Sequence, residues 1–274
     1  MPKATAYPER NGRDLDPAEA ADLLCDNGCL LVRRALRRLD VFDLHERAEA
    51  FYAMRDRQLA EGTLPEAYDR YLYRFGHIHM QEIDREGEAP GVVRRRIADS
   101  ALAPVLDAFL DEDVRFVLNN SLLRRQRPGD VERYVPFHQD AAFMGSDVTV
   151  VNCWIPLVPC GVEAPGLEVV VAGGRKVLAT GGQGGKGGAI YDAIDLSEER
   201  VVRAFGTETL WHPAFELGDV LLFTNFTIHR TYVRPEMAGN RISIEARAVS
   251  GGGLPERFAD EPLMPLRPRK RADA

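Results

Sequence analysis

A mainly β fold with helical additions at its N-terminal side is what this sequence predicts, on three observations. Strand-like segments crowd the chain from Val114 onward, divided by turns such as Arg127-Pro128-Gly129-Asp130 and Leu217-Gly218-Asp219. The long helical patterns all precede them. No internal repeat and no Pro- or Ser-rich linker divides the 274 residues, so one domain spanning 1–274 is expected, with its core at about 115–250 and a helical part at about 15–112. Strands joined by short turns point to an antiparallel sandwich or barrel.

The first element is a helix. Asp16 can cap it, Pro17 suits its first turn, Ala18 to Cys25 carry the apolar pattern and Asn27-Gly28 ends it. A strand over Cys29 to Arg33 follows. Amphipathic periodicity then predicts helices over about Leu39 to Ala60 and Asp99 to Leu110, which would cover a sheet. Between them, Pro65 to Val93 is irregular and rich in side chains that could line a pocket. Strands are predicted over Phe116–Gln126, Tyr134–His138, Val148–Leu157, Leu167–Val171, Glu208–His212, Val220–Phe223 and Arg241–Val249.

Composition narrows the functional classes. With 45% hydrophobic and 28% charged residues the chain reads as an ordinary globular protein, and a net charge of −7 offers no basic footprint for nucleic acid. No apolar run is long enough for a membrane span, and Met1 to Gly12 is too polar for a signal peptide, so a cytoplasmic protein is expected. Cys25, Cys29, Cys153 and Cys160 fit neither a zinc spacing nor a disulfide scaffold and are read as reduced, mostly buried thiols. Gly181 to Gly188 fails as a phosphate loop, because Gly187 stands where a Ser or Thr would hold magnesium. It is read as a surface loop or active-site lid.

The chemistry is carried by three segments. His138-Gln139-Asp140 follows Tyr134-Val135-Pro136-Phe137, and on an extended strand its first and third side chains would share a face and converge on one ion. With 6 histidines and 42 acidic residues, about one His-x-Asp/Glu would arise by chance, so the triplet gains its weight from two segments downstream. A turn and apolar strand, Phe215 to Phe223, leads to Thr227-Ile228-His229, which can return as a third ligand. Arg241-Ile242-Ser243-Ile244 then alternates so that Arg241 and Ser243 share a face, a fitting clamp for a carboxylate.

Together the His-Gln-Asp after an aromatic, the Gly-Asp-Val-Leu-Leu-Phe strand before a His-Arg, and the Arg-x-Ser about a dozen residues on resemble the phytanoyl-CoA hydroxylase (PhyH-like) family of iron(II)- and 2-oxoglutarate-dependent dioxygenases. The resemblance covers about 115–250. It implies a double-stranded β-helix (jelly roll, cupin-like), Fe(II) on His138, Asp140 and His229, and 2-oxoglutarate held through its distal carboxylate by Arg241 with Ser243 assisting. Trp154 matches a position near the co-substrate in this family, and Asn152 shares its face. The implied reaction consumes O2, releases succinate and CO2, and attacks a carbon of a small-molecule substrate. A carboxylate at Asp140, where related halogenases have a small residue, implies hydroxylation, with desaturation, epoxidation or cyclisation open. Where many relatives have Gly-Ser-His, this chain has Ala172-Gly173-Gly174-Arg175-Lys176, which implies a differently shaped pocket.

Tyr68, Tyr73, Arg74, His77, His79 and Phe143 are the candidate substrate residues, suited to a polar or anionic metabolite. Two rival readings stand beside this one. His77-Ile78-His79 with Glu82 suggests a cupin-like, non-oxygenase metal protein such as an isomerase, although the spacing to Glu82 is short by at least a residue and no matching glycine-bounded second half follows. A metal-free ligand-binding β-sandwich would leave His138, Asp140 and His229 apart. Oligomeric state is not legible.

Overall fold

The computed structural model describes residues 7–68, 78–111, 113–131, 134–180 and 194–267. In chain order, β1 (Glu9–Asn11) and α1 (Pro17–Asn27) lead to β2 (Cys29–Arg33), α2 (Arg38–Ala60), α3 (Glu66–Tyr68) and β3 (Ile78–His79). Two helices, α4 (Val92–Ala98) and α5 (Leu102–Leu110), precede β4 (Val114–Val117), β5 (Leu122–Gln126), α6 (Ala141–Met144), β6 (Val150–Pro156) and β7 (Gly166–Val170). The chain ends with α7 (Glu198–Phe205), β8 (Leu210–Trp211), β9 (Val220–Thr224), β10 (His229–Tyr232), β11 (Arg241–Ser250) and β12 (Leu263–Pro265). Among the described residues no helix is long and apolar enough to cross a membrane.

Local chemistry accounts for the first helix as the sequence predicts. The Asp16 side chain accepts from the Glu19 N–H at 2.9 Å, and Gly28, at φ 73°, closes the other end by donating to the Leu24 carbonyl. No other residue would serve at 28: a Cβ there would lie 2.6 Å from the Ala172 carbonyl oxygen.

Nine strands form one sheet along the path β1-β2-β9-β6-β11-β4-β12, with β5 on β11 and β3 on β5; β10, β7 and β8 form a second. All pairs are antiparallel except β1 with β2. Alternation divides the large sheet into two faces. Leu30, Val32, Val151, Cys153, Ile155, Val220, Leu222, Ile242, Ile244, Ala246 and Ala248 pack on α1, α2, α4 and α5 in the main core. Leu31, Trp154, Leu221 and Phe223 turn the other way and meet Leu167, Val169 and Trp211 of the small sheet. This is the two-sheet jelly roll with α1, α2, α4 and α5 on the outer face of the large sheet.

Several segments depart from the sequence reading; where a strand was expected over Glu208–His212 there is a 3-10 turn at Thr207–Thr209 and then only the two residues of β8. The strand expected over Phe116–Gln126 is two, broken by a 3-10 turn at Leu118–Asn120, where Ser121 Oγ donates to the Val117 carbonyl. The break lets β4 and β5 pair with successive halves of β11. The helix expected over Asp99–Leu110 starts later, because Ser100 Oγ accepts from the Leu102 N–H and donates to Ile97 O, separating α4 from α5. The strand expected over Tyr134–His138 is only an isolated bridge between His138 and His229. Pro136 has no N–H for the next pair, and Thr231 N–H donates to Val135 O instead. The Gly181 to Gly188 segment lies outside the described residues.

Candidate metal centre

His138 and His229 are fixed first by their own backbones. They face each other as a hydrogen-bonded pair, each N–H donating to the other's carbonyl at 3.0 Å. His229 reaches that place because Asn225–Ile228 carries the chain from the large sheet into the small one. Asn225 ties this turn down, accepting from Val150 N–H and donating to the Gly145 and Val148 carbonyls; Thr227 Oγ1 donates to Gly28 O at 2.6 Å.

Both rings are then oriented alike. Nδ1 of His138 bonds Pro136 O at 2.9 Å and Nδ1 of His229 bonds Thr227 O at 3.0 Å. A carbonyl oxygen can only accept, so each Nδ1 carries a proton and each Nε2 is the nitrogen turned toward a metal. Burial, with His138 adding, pushes His229 down to about 4 against the pull of Asp140, so its imidazole is neutral at pH 7.

Asp140 converges with them by a different route from the one alternation suggests. Its backbone is helical, at φ −63° and ψ −23°, and it opens α6 rather than continuing a strand. Its Oδ1 lies 3.4 Å from His138 Nε2 and 3.8 Å from His229 Nε2, and it accepts no hydrogen bond. Oδ2 accepts from Arg247 Nε and Asn152 Nδ2, both at 2.9 Å. Burial would raise this carboxyl, but Arg247, then the two imidazoles, outweigh it and hold it well below the usual carboxylate range. Three buried donor atoms of two histidines and one carboxylate thus lie within 4.8 Å of one another. Such a set fits a ferrous ion with positions to spare.

A narrow cleft joins His138 and His229 to Arg124, Arg241 and Glu245. Arg241 is 2% exposed, and its Nη1 donates to Gly166 O at 2.8 Å. No carboxylate among the described residues pairs with it, its Nε is without a partner, and so are the buried Ser243 Oγ and Trp154 Nε1 on the same sheet face. A buried guanidinium lacking a counter-charge is costly unless a ligand supplies one. Beside it, Arg124 and Glu245 form a buried ion pair at 2.6 Å.

The other candidates are placed less uniformly. Trp154 packs against Phe215 with the Arg241 guanidinium 5.5 Å from its ring, and Asn152 meets Asp140 directly. Phe143, 44% exposed, stands on α6 with the Arg247 guanidinium 5.6 Å from its ring. His79 pairs opposite Leu122, which pairs opposite Glu245, so register sets all three on one face. Tyr68 is engaged elsewhere, donating to Glu82 at 2.6 Å beneath Arg55. Tyr73, Arg74 and His77 lie outside the described residues, which leaves the His77-Ile78-His79 metal set outside them in part.

Glu245, Arg247 and Arg124 were missed from sequence, although the alternation that selected Arg241 and Ser243 runs on to Glu245 and Arg247. Gln139 was also passed over. Buried between the ligands, it donates to Lys176 O and Phe226 O and accepts from Leu178 N–H, stitching the neighbouring segment to the centre.

The family model for Phytanoyl-CoA dioxygenase (PhyH) matches residues 24–232. A search of curated proteins finds no match. Among solved structures, ThoJ in its apo form, a non-heme monooxygenase, superposes with a TM-score of 0.57 at 12% identity, over 92% of this chain and 80% of that one. The epimerase SnoN in complex with Fe3+, alpha ketoglutarate and nogalamycin RO gives 0.55 at 15%, over 86% and 85%. AviO1 from Streptomyces viridochromogenes Tue57 gives 0.52 at 18%, over 88% and 98%. At these identities the likeness establishes a shared fold.

Proposed function

The chain belongs to the phytanoyl-CoA dioxygenase (PhyH) family, and from that premise we propose that it is an Fe(II)- and 2-oxoglutarate-dependent dioxygenase that hydroxylates a small-molecule metabolite, releasing succinate and CO2. The observation that carries the reading is a buried two-histidine, one-carboxylate trio whose two imidazoles line the same cleft as a buried guanidinium that pairs with no carboxylate among the described residues. When bound, iron with 2-oxoglutarate and O2 supplies oxidative decarboxylation and an oxidant able to take hydrogen from a substrate carbon.

The chain's own residues do the rest. His138 and His229 present their Nε2 atoms, and Asp140 contributes one negative charge through Oδ1. Arg241 binds the distal carboxylate of the co-substrate, with Ser243 and Trp154 as further donors. Among the described residues, Arg124 pairs with Glu245 and Arg247 with Asp140, which leaves the Arg241 guanidinium without a paired carboxylate. The excess positive charge favours a dianionic co-substrate over a neutral one. Val135 and Leu167 in the cleft wall exclude water around it.

Anaerobic titration of the protein with iron(II) and 2-oxoglutarate tests this. The chelate should give a visible charge-transfer band, and Arg241→Ala should weaken 2-oxoglutarate binding roughly tenfold or more, the scale of one buried charged hydrogen bond. No band in the wild type, or an unchanged one in Arg241→Ala at limiting co-substrate, would overturn the reading. Epimerisation is the second reading, favoured by the likeness to SnoN. Turnover in 18O2 separates them, since hydroxylation leaves the label in the product and inversion does not.

A further inference from the structure

We propose that Arg247 and Asn152 form a two-pronged clamp that makes Asp140 a one-oxygen metal ligand and so keeps a coordination position free for the co-substrate. The inference rests on the functional reading above.

Register places Arg247 directly opposite Asn152 across the β11–β6 ladder, on the face turned toward the small sheet. Both donate to the same atom, Asp140 Oδ2, at 2.9 Å each. The other oxygen, Oδ1, has no further donor on it and is the one turned toward the Nε2 atoms of His138 and His229. The clamp is itself held. Arg247 is 3% exposed, its Nη1 donates to Asn120 O, its Nη2 lies 3.4 Å from Glu245 Oε2, and its backbone N–H donates to Ser121 Oγ at 3.0 Å.

A carboxylate can grip a cation with one oxygen or with both. One oxygen with two imidazoles leaves about three of six positions free, enough for a chelating keto acid and O2. Two oxygens would leave one fewer. Neutralising Asp140 would need only a cation anywhere nearby, whereas two donors on one oxygen, with the other left bare, select which oxygen faces the metal. The guanidinium makes the Oδ2 contact a charge-assisted one, stronger than a neutral pair would be. Arg247 and Asn152 are thus positioning residues, acting through Asp140.

The test uses Arg247→Met, which removes charge and donors while keeping much of the side chain's length. Co(II) affinity is read from its visible absorption, 2-oxoglutarate affinity from the anaerobic iron(II) charge-transfer band, and the fold from thermal melting. The variant should bind Co(II) at least as tightly as wild type, because a neighbouring cation is gone and Oδ2 keeps only the neutral Asn152 donor. It should hold 2-oxoglutarate about tenfold more weakly, at the low end of effects seen when a ligand's support is removed. Arg247→Lys should recover part of that loss. Asn152→Leu, which removes only the neutral prong, should show the same split in smaller measure and serves if Arg247→Met fails to fold. Wild-type affinity for both probes in either variant, or parallel loss of both, would overturn the clamp. A wild-type protein that binds neither Co(II) nor 2-oxoglutarate would overturn the functional reading and the clamp with it.

Discussion

His229 shows how one side chain's surroundings set both its chemistry and its contribution to stability. Its ring lies 4.1 Å from that of His138 and 4.6 Å from that of Phe223, centroid to centroid, inside a wall that admits little water. The folded protein keeps this imidazole neutral down to about pH 4, whereas an unfolded chain protonates it near 6.5. Between those values the unfolded state binds the extra proton, so stability falls as pH drops through that window, by up to roughly 3 kcal/mol. Asp140 works in a separate range. Its depressed carboxyl contributes stability above the ordinary carboxylate pKa, and this is lost only as pH falls toward its own lower value. Metal-free protein should therefore show a urea midpoint that declines between pH 6.5 and 4.5, and His229→Gln should flatten that decline. An equal slope in the variant would show that another group carries it. The same depressed value means that protonation of His229 does not limit metal binding above about pH 5.

At the scale of elements, the turn Asn225–Ile228 carries more of the site than any single strand. It lifts the chain out of β9 and sets it down as β10, and its fixed point is the carbonyl of Gly28, which accepts from both Thr224 N–H and Thr227 Oγ1. Thr227 also supplies the carbonyl that orients His229. Thr227→Val keeps the shape and removes the hydroxyl, so it should cost about 1 kcal/mol in urea unfolding and weaken Co(II) binding several-fold. Unchanged Co(II) affinity would show that the turn holds its place without that bond. The anchor at Gly28 was legible in sequence only as a helix terminator, because its second role depends on residues two hundred positions away. The same limit explains the pattern elsewhere. The helix after Asp16 and the strand Cys29–Arg33 are written in neighbouring residues and were read within a residue or two. The convergence of His138 with Asp140 was expected, but from strand alternation, and it is achieved by a helical backbone at Asp140 that no local pattern announces. Arg247 sits in an alternation already in view and was passed over, because its partner Asp140 lies 107 residues away.

Across the whole molecule, the large sheet separates stability from chemistry by face. Helices α1, α2, α4 and α5 cover one side and build the main core there. The cleft, the trio and the charged side chains Arg241, Glu245 and Arg247 occupy the other, between the sheets. Strand β11 passes through the middle and contributes to both, Ile244 on the helix side and Ser243, one residue before it, on the site side. The two should respond oppositely to truncation. Ile244→Ala opens a cavity in a fully buried core and should cost about 2–5 kcal/mol, lowering the melting temperature while leaving 2-oxoglutarate affinity close to wild type at temperatures where the variant is folded. Ser243→Ala removes a buried hydroxyl that has no partner among the described residues, so it breaks no bond seen in the ligand-free fold. It should leave stability within about 0.5 kcal/mol and weaken 2-oxoglutarate several-fold in the anaerobic titration. If the pattern is reversed, with Ser243→Ala unfolding the protein and Ile244→Ala disturbing co-substrate binding, the division of labour between the two faces is wrong. If it holds, the helical face can be redesigned for stability without disturbing the reaction, because the two faces meet through the backbone of the sheet rather than through shared side chains.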